Sequence, residues 1–420
     1  LSTLFIPHLA QQAHATIINV SSGLAFAPLA FAPVYCATKA ALHSFTLSLR
    51  HQLLDTTIAV IEIIPPAVNT DLGGPGLHTQ GVPLEEFGRS VAEDAGSAWV
   101  SSRGSMSLGA LAAWQFLSRS GGANLRGNVV VIMGGSRGLG LQLARDFAKQ
   151  GCKLALCARD RDELRTVRDE FESRGVEILT GVCDVSDRAA VDGFISGVIS
   201  HYGRINVLVN NAGIIQVGPI ESMKIEDFEQ AMDVMFWGVL YPTWAALPHM
   251  LERGAGRIVT ITSIGGKVPV PHLVPYSCAK FAAVALSEGL RTELAPKGIQ
   301  VLTIVPGLMR TGSFLNAFFK GKQEEEFNWF GLSANLPGMS MQVERASSQI
   351  INALRGNRSE HILTLPAQIA VRLHGAFPEF TGALMSAVNQ WVLPRAEGGT
   401  TDAAPGHQTD EHMSGLFKAL

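Results

Sequence analysis

The stretch "NVVVIMGGSRGLG" (residues 128–140) constrains the fold of this chain more than any other. An apolar, β-branched run ends in glycines, and helical apolar spacing, "LGLQLARDFAKQG" (139–151), begins at once. A strand that turns tightly into a helix is the start of a βαβ unit. The alternation continues. "KLALCA" (153–158) reads as a strand, "RDELRTVRDEFESRG" (161–175) as a charged amphipathic helix, and "VEILTGVCD" (176–184) and "INVLVNNAG" (205–213) as strands. Strands separated by helices pair in parallel, so the pattern predicts an α/β fold built of βαβ units around a parallel sheet. The glycines also have a chemical consequence. Gly134, Gly138 and Gly140 let the loop that includes Ser136, Arg137 and Leu139 approach a pyrophosphate at the helix N-terminus. Free N–H groups and the helix dipole favour an anion there.

A second constraint is an internal repeat. Tyr276 and Lys280 lie 241 positions after Tyr35 and Lys39, and the same offset joins Ser22 to Ser263, Arg50 to Arg291, Pro65 to Pro306 and Thr70 to Thr311. No gap is needed from residue 6 to residue 70, so the two segments read as homologous modules. The first module holds a strand ("TIINVSS"), a helix ("ATKAALHSFTLSLRHQL") and a strand ("AVIEIIPP"), with no Gly-rich turn before them. The expected organisation is a partial module over 1–95, which lacks the dinucleotide-binding half, and a linker with a short apolar helix over 96–126. A complete domain over 127–360 follows, then a tail over 361–420 that is apolar at first and disordered afterwards. Met106 is a candidate start for a separate second product, so a fusion or a fragment is the expectation for the chain as a whole.

Composition narrows the function classes. Hydrophobic residues make up 47% and charged residues 16%, which describes a core-rich folded protein. A net charge of −3 leaves no basic footprint for nucleic acid. The five cysteines (36, 152, 157, 183, 278) form no CxxC pair and read as reduced, buried thiols, and no metal site is expected. "LSTLFIPHLA" lacks the basic start of a signal peptide. "MSLGALAAWQFL" (106–117) and "TGALMSAVNQWVLP" (381–394) are shorter than the roughly 20 residues that span a bilayer. A cytoplasmic protein is expected, with membrane-surface attachment through either segment as the less favoured alternative.

The second strand ends "CARD". A cofactor without a 2′-phosphate usually meets an acidic side chain near this point. Here Ala158 is neutral, Arg159 follows it, and Arg137 lies in the Gly loop. Two guanidinium groups suit a 2′-phosphate, so NADP(H) is favoured over NAD(H), with Asp160 as the rival reading. Taken together, "GGSRGLG", "CDV" (183–185), "NNAG" (210–213), Ser263, "YSCAK" (276–280) and "PGLMRT" (306–311) resemble the short-chain dehydrogenase/reductase family in order and spacing. The resemblance covers about residues 126 to 315. It implies an α/β, Rossmann-like fold with one doubly wound sheet of about seven parallel strands, and an N-terminal partial copy of the same fold. It further implies that Asp184, beside Val185, holds the adenine amino group, and that Asn210, Ala212 and Gly213 line the cofactor. Pro306, Gly307 and Thr311 would then meet the nicotinamide side.

The chemistry implied is hydride transfer between nicotinamide and a carbonyl or alcohol carbon of a small-molecule substrate. Tyr276 is the candidate acid/base, and Lys280, one helical turn on, is expected to lower its pKa and to bind the nicotinamide ribose. Ser263 would hold the substrate oxygen. Met235 stands where the family usually has an Asn that links a water-borne proton path to the lysine. This departure leaves room for an NADP(H)-binding sensor or scaffold with little turnover. Phe314, Phe318, Phe319, Phe327, Trp329 and Phe330 follow in the segment where the family has its substrate loop. They point to an apolar ketone or secondary alcohol, or equally to a packed helix, and "QEEEF" reads as a solvated turn. Family members pair through the helix that carries Tyr and Lys, so a homodimer or an internal pseudo-dimer is expected. Ser22, Tyr35 and Lys39 keep the catalytic spacing but are expected to be inactive without a hydride donor.

Overall fold

The computed structural model describes residues 2–27, 32–53, 56–65, 68–69, 82–87, 123–335 and 340–409. Expectations for 106–117 and Thr70 lie outside these residues. In the first module, strand β1 (Ala15–Val20), helix α1 (Pro33–Gln52) and strand β2 (Ile58–Ile63) form one parallel unit. In the second, β3 (Val129–Met133), α2 (Gly138–Lys149), β4 (Lys153–Ala158), α3 (Arg161–Glu172), β5 (Ile178–Val182), α4 (Arg188–Tyr202) and β6 (Val207–Asn210) follow one another. The chain continues through α5 (Gly238–Glu252), β7 (Gly256–Ile261), α6 (Val274–Leu294), β8 (Ile299–Val305), α7 (Gln323–Asn335), α8 (Val343–Arg355) and β9 (Glu360–Ile362). Two further helices, α9 (Leu365–Ala376) and α10 (Pro378–Trp391), follow, ahead of a strand over Thr400–Pro405 and a single helical turn over Gly406–Thr409.

Seven strands pair in parallel in the order β9-β8-β7-β6-β3-β4-β5. All five residues of β3 are buried, as expected of a central strand covered on both faces. One face packs Val191 and Ile195 of α4, Ala246 and Met250 of α5, and Ala282 and Leu286 of α6. The other packs Leu143 and Phe147 of α2, Phe171 of α3, and Ile350 and Leu354 of α8. The winding reverses between β3 and β6, which opens a crevice beyond their C-terminal ends. Local chemistry sets the helix ends. Asp160 accepts hydrogen bonds from the backbone N–H groups of Asp162 and Glu163, and Asp187 does the same for Ala189 and Ala190.

The 241-residue offset reappears in three dimensions. β1, α1 and β2 start at the counterparts of the first residues of β7, α6 and β8, and the pairing Ala15↔Ile58 matches Gly256↔Ile299. Helix α1 lies antiparallel on α6, with Pro33 against Gly289 at one end and His43 against Phe281 near the other. Between them Ala37 and Ala40 share a core with Ala279 and Ala282, small side chains that let two helices approach closely. Phe45 meets Phe228 edge-on at 6.0 Å. Helix α6 is therefore enclosed, and 15 of its 21 residues are buried.

Two segments differ from the sequence-based expectation. "QEEEF" opens α7 rather than forming a solvated turn, and Glu326 is fully buried. The tail is ordered through residue 409, where disorder is expected from composition. Residues Thr400–Pro405 pair antiparallel with Phe318–Gly321. The glycines that read as disorder serve close packing. A Cβ on Gly399 would lie 2.7 Å from the Gly321 Cα, and one on Gly406 would lie 2.2 Å from the Phe314 carbonyl oxygen. All five cysteines are buried thiols. Among the described residues no helix is long and apolar enough to cross a membrane, and no cluster of three or more His, Cys, Asp or Glu could hold a metal.

Because Ala40 is buried against α6, Ala40→Asp would place a carboxylate there without a partner. The expected loss of unfolding free energy is roughly 2–4 kcal/mol, measured by urea denaturation. An unchanged midpoint would show that α1 does not rest on α6 in solution.

Candidate active site

A cavity of about 1110 Å³ opens at the C-terminal ends of the sheet. Its nucleotide side is walled by Gly134, Ser136, Arg137, Gly138, Leu139, Arg159, Asp184, Val185, Ala212 and Gly213. Its chemical side is walled by Ser263, Tyr276, Lys280, Pro306, Gly307 and Thr311. One continuous space thus brings together all but two of the candidate catalytic and cofactor-binding residues of the second module.

Those two are Gly140 and Asn210. Gly140 supports the loop from behind, since a Cβ there would lie 2.0 Å from the Gly134 carbonyl oxygen and 2.7 Å from Asn211 Nδ2. Asn210 belongs to β6, and its side chain turns away to donate to Thr243 Oγ1 at 2.9 Å. The wall residue is its neighbour Asn211, whose Nδ2 donates to the Gly134 carbonyl at 2.7 Å and pins the Gly loop to the end of β6. Successive side chains on an extended segment face opposite ways, and sequence alone does not say which of two adjacent Asn faces the cavity.

The loop fits a dinucleotide. Gly134 has φ +81°, and a Cβ there would come within 2.8 Å of the Ala212 Cα. Gly138 has φ +54°, and a Cβ there would lie 3.8 Å from the Thr311 Cβ. The N-cap of α2 is Arg137, and no side chain caps the helix, which leaves its first N–H groups available to an anion. Asp160, the rival ribose ligand, has its carboxylate engaged as the cap of α3. Asp184 accepts from the backbone N–H and the hydroxyl of Ser186, at 2.9 and 2.7 Å. Glu163 is a wall residue that the sequence reading missed. It accepts from Ser136 Oγ at 2.6 Å and from Arg137 Nη1 at 3.2 Å.

At the chemical end, Ser263 caps a short 3₁₀ turn and accepts from the Gly265 N–H at 3.1 Å. The turn seats the tyrosine. A Cβ on Gly265 would lie 3.2 Å from Tyr276 Cε1, and one on Gly266 would lie 2.7 Å from the Lys280 carbonyl oxygen. Burial pushes the Tyr276 phenol above its ordinary pKa, and a hydrogen bond with the Ser263 hydroxyl draws it back down. Lys280 Nζ donates to the Ile261 carbonyl at 3.0 Å and sits 5.8 Å from the Tyr276 ring centre. Burial pushes the Lys280 ammonium down to about 8. Met235 is fully buried in a π-helical turn (Asp233–Trp237). It and Lys280 flank Gly213, whose Cβ position lies 3.7 Å from Met235 Sδ and 3.8 Å from Lys280 Nζ.

The first module repeats part of this. Lys39 Nζ donates to the Val20 carbonyl at 3.0 Å, and Ser22 Oγ accepts from the Leu24 N–H at 3.2 Å. Leu24 and Ala25 stand where Gly265 and Gly266 make room for the tyrosine and its helix. Tyr35 is 40% exposed, whereas Tyr276 lies in the cavity wall.

The aromatic segment divides its work. Phe318, Trp329 and Phe330 line the cavity, while Phe319 and Phe327 are buried in a small core of their own. Glu326 joins the two, accepting from Trp329 Nε1 at 2.6 Å and meeting His272 Nδ1 at 2.8 Å. Ala367 and Ala370 of α9 and Met385 of α10 complete the wall, although the sequence reading placed them beyond the catalytic domain.

The lowered pKa of Lys280 has a consequence for stability. Between pH 8 and 10.5 the unfolded chain binds the proton that the folded chain has released, so this group's contribution to stability rises with pH across that window. Below about 8 its burial costs on the order of 3 kcal/mol. Lys280→Met is therefore expected to raise the cofactor-free melting temperature at pH 7, with a gain that shrinks as pH approaches 10.5. Thermal melts at several pH values check this, and a variant that melts lower at pH 7 contradicts it.

The geometry has counterparts in known proteins. The family model "short chain dehydrogenase" matches residues 1–80 and 128–319. A dehydrogenase/reductase SDR family protein 7-like of Anopheles gambiae is 39% identical over 199 residues, which is 46% of this chain and 63% of that protein. The putative oxidoreductase SadH of Mycobacterium tuberculosis is 32% identical over 252 residues, 59% of this chain and 89% of that one. Among solved structures, a short-chain dehydrogenase from Streptomyces avermitilis superposes with a TM-score of 0.54 at 28% identity, covering 63% of this chain and 96% of its own. A gluconate 5-dehydrogenase from Burkholderia cenocepacia, in complex with NADP and tartrate, gives 0.52 at 26% identity over 59% and 98% of the two chains. With the family model matched across both segments and the seven-stranded parallel sheet in place, this chain belongs to the short-chain dehydrogenase/reductase family of oxidoreductases.

Proposed function

We propose that this protein is an NADP(H)-dependent oxidoreductase acting between a carbonyl and an alcohol, on an apolar ketone or secondary alcohol. One observation carries the reading: Arg137 and Arg159 line the same cavity as Ser263, Tyr276 and Lys280. The bound cofactor would supply or accept the hydride. In the reducing direction Tyr276 gives its phenolic proton to the substrate oxygen, and the Ser263 hydroxyl holds that oxygen while charge develops on it. Lys280 balances the phenolate left behind, and a proton from solvent restores the phenol.

Support for NADP(H) over NAD(H) comes from the two wall arginines and from the engagement of Asp160 as a helix cap. Support for an apolar substrate comes from Phe318, Trp329, Phe330, Ala370 and Met385 in the wall. Residues 1–65 read as a partial copy of the same fold that covers α6 from within the chain, in the manner of a second subunit. Its Tyr35 is exposed where Tyr276 lies in the cavity wall, and the reading gives it no part in the reaction. The buried Met235 beside Lys280 favours a second reading, a cofactor-binding protein with little turnover.

NADPH consumption against a panel of apolar ketones decides between them. Turnover that falls at least 100-fold in Tyr276→Phe, with NADPH affinity kept, is the expected result. NADPH binding without consumption across the panel, unchanged by Tyr276→Phe, would favour the binding protein. Met235→Asn would give the buried Lys280 a polar neighbour and is expected to preserve or raise turnover. A severe loss in that variant, measured as kcat on the same substrate, would show that Met235 has a different role.

A further inference from the structure

We propose that Glu163 sets the cofactor selectivity of this site by occupying the donors that a 2′-phosphate would take. The inference rests on the NADP(H) reading and names a residue that limits it. One carboxylate oxygen of Glu163 accepts from Ser136 Oγ at 2.6 Å, and the other accepts from Arg137 Nη1 at 3.2 Å. These are a hydroxyl and a guanidinium of the Gly loop, on the wall of the nucleotide half of the cavity. A hydroxyl and a guanidinium side by side are also a donor set that phosphate oxygens use. Glu163 is the third residue of α3, and Asp160 holds its backbone N–H at 2.9 Å, so the carboxylate is aimed from a fixed helix start.

A phosphate dianion and this carboxylate cannot share those donors, and their like charges oppose each other. The exchange is feasible because the ion pair is half open to water, with the Arg137 side chain 56% exposed and that of Glu163 32%. Such pairs are weak. Arg159 is held more loosely, with its nearest carboxylate, on Asp184, 3.9 Å away. Arg159 is therefore the first cation to meet an arriving 2′-phosphate, and Arg137 joins once Glu163 lets go. A cofactor without the 2′-phosphate leaves the Glu163 pair intact. Glu163 thus narrows the preference that the two arginines create.

Dissociation constants of NADPH and NADH, measured by fluorescence titration on the full chain, test this without turnover. Glu163→Gln removes the charge and keeps the shape, and Glu163→Ala removes both. Each is expected to tighten NADPH by roughly 3- to 10-fold, while NADH changes less than about 2-fold. The NADH constant also reports that each variant is folded. Arg137→Gln is the reference, expected to weaken NADPH about 10-fold or more and to spare NADH. If Arg137→Gln weakens NADPH while both Glu163 variants leave it unchanged or weaken it too, the role given to Glu163 is wrong and the cofactor reading stands. If Arg137→Gln leaves the NADPH-to-NADH ratio unchanged, the cofactor reading fails and the inference falls with it.

Discussion

Helix α6 is held on two sides, and it carries Tyr276 and Lys280 of the proposed site. One face packs on the sheet and the other on α1, whose Ala37 and Ala40 fill the gap between the helices. A helix enclosed in this way has little freedom to rotate or slide. Its Lys280 reaches the last carbonyl of β7, at Ile261, and that bond fixes the height of the Tyr276 ring in the cavity wall. The lysine is buried at a cost, and in the proposed reaction its ammonium would stand where a phenolate forms. That is a common relation between a functional site and the stability of the fold around it.

The two modules show what residue spacing determines and what it leaves open. Both place a lysine on a strand-end carbonyl at 3.0 Å, and both use a serine to close the turn before the helix. Backbone and anchor are thus set by the shared pattern. Gly265 lies against the Tyr276 ring and Gly266 against the backbone of its helix, and the counterparts in the first module are Leu24 and Ala25. Tyr276 lies in a cavity wall, whereas Tyr35 is exposed.

Much of the site was legible because it is local. The Gly loop is a strand–turn–helix device, and Tyr276 and Lys280 are one helical turn apart, so their placement follows from backbone geometry. What escaped the sequence depends on long-range contacts. Glu163 looks like one more acidic residue in the first turn of a charged helix, and only the fold brings it to Ser136 and Arg137. Glu326 sits in a run of three glutamates, and its burial depends on His272, which is 54 positions away. The glycines near residue 400 suit a disordered tail equally well until Phe318–Gly321 is there to pair with. Asn210 and Asn211 are alike in sequence and are separated only by the direction in which each side chain leaves the strand end.

The central claim is that this chain holds one redox site, built on the second module, while the first serves as cover for α6. The stoichiometry of NADPH binding tests that claim most directly. Isothermal titration of the full chain is expected to give one equivalent bound per chain. Two equivalents would contradict the account, because they would require a second cofactor cradle, and no detectable binding would contradict the cofactor site itself.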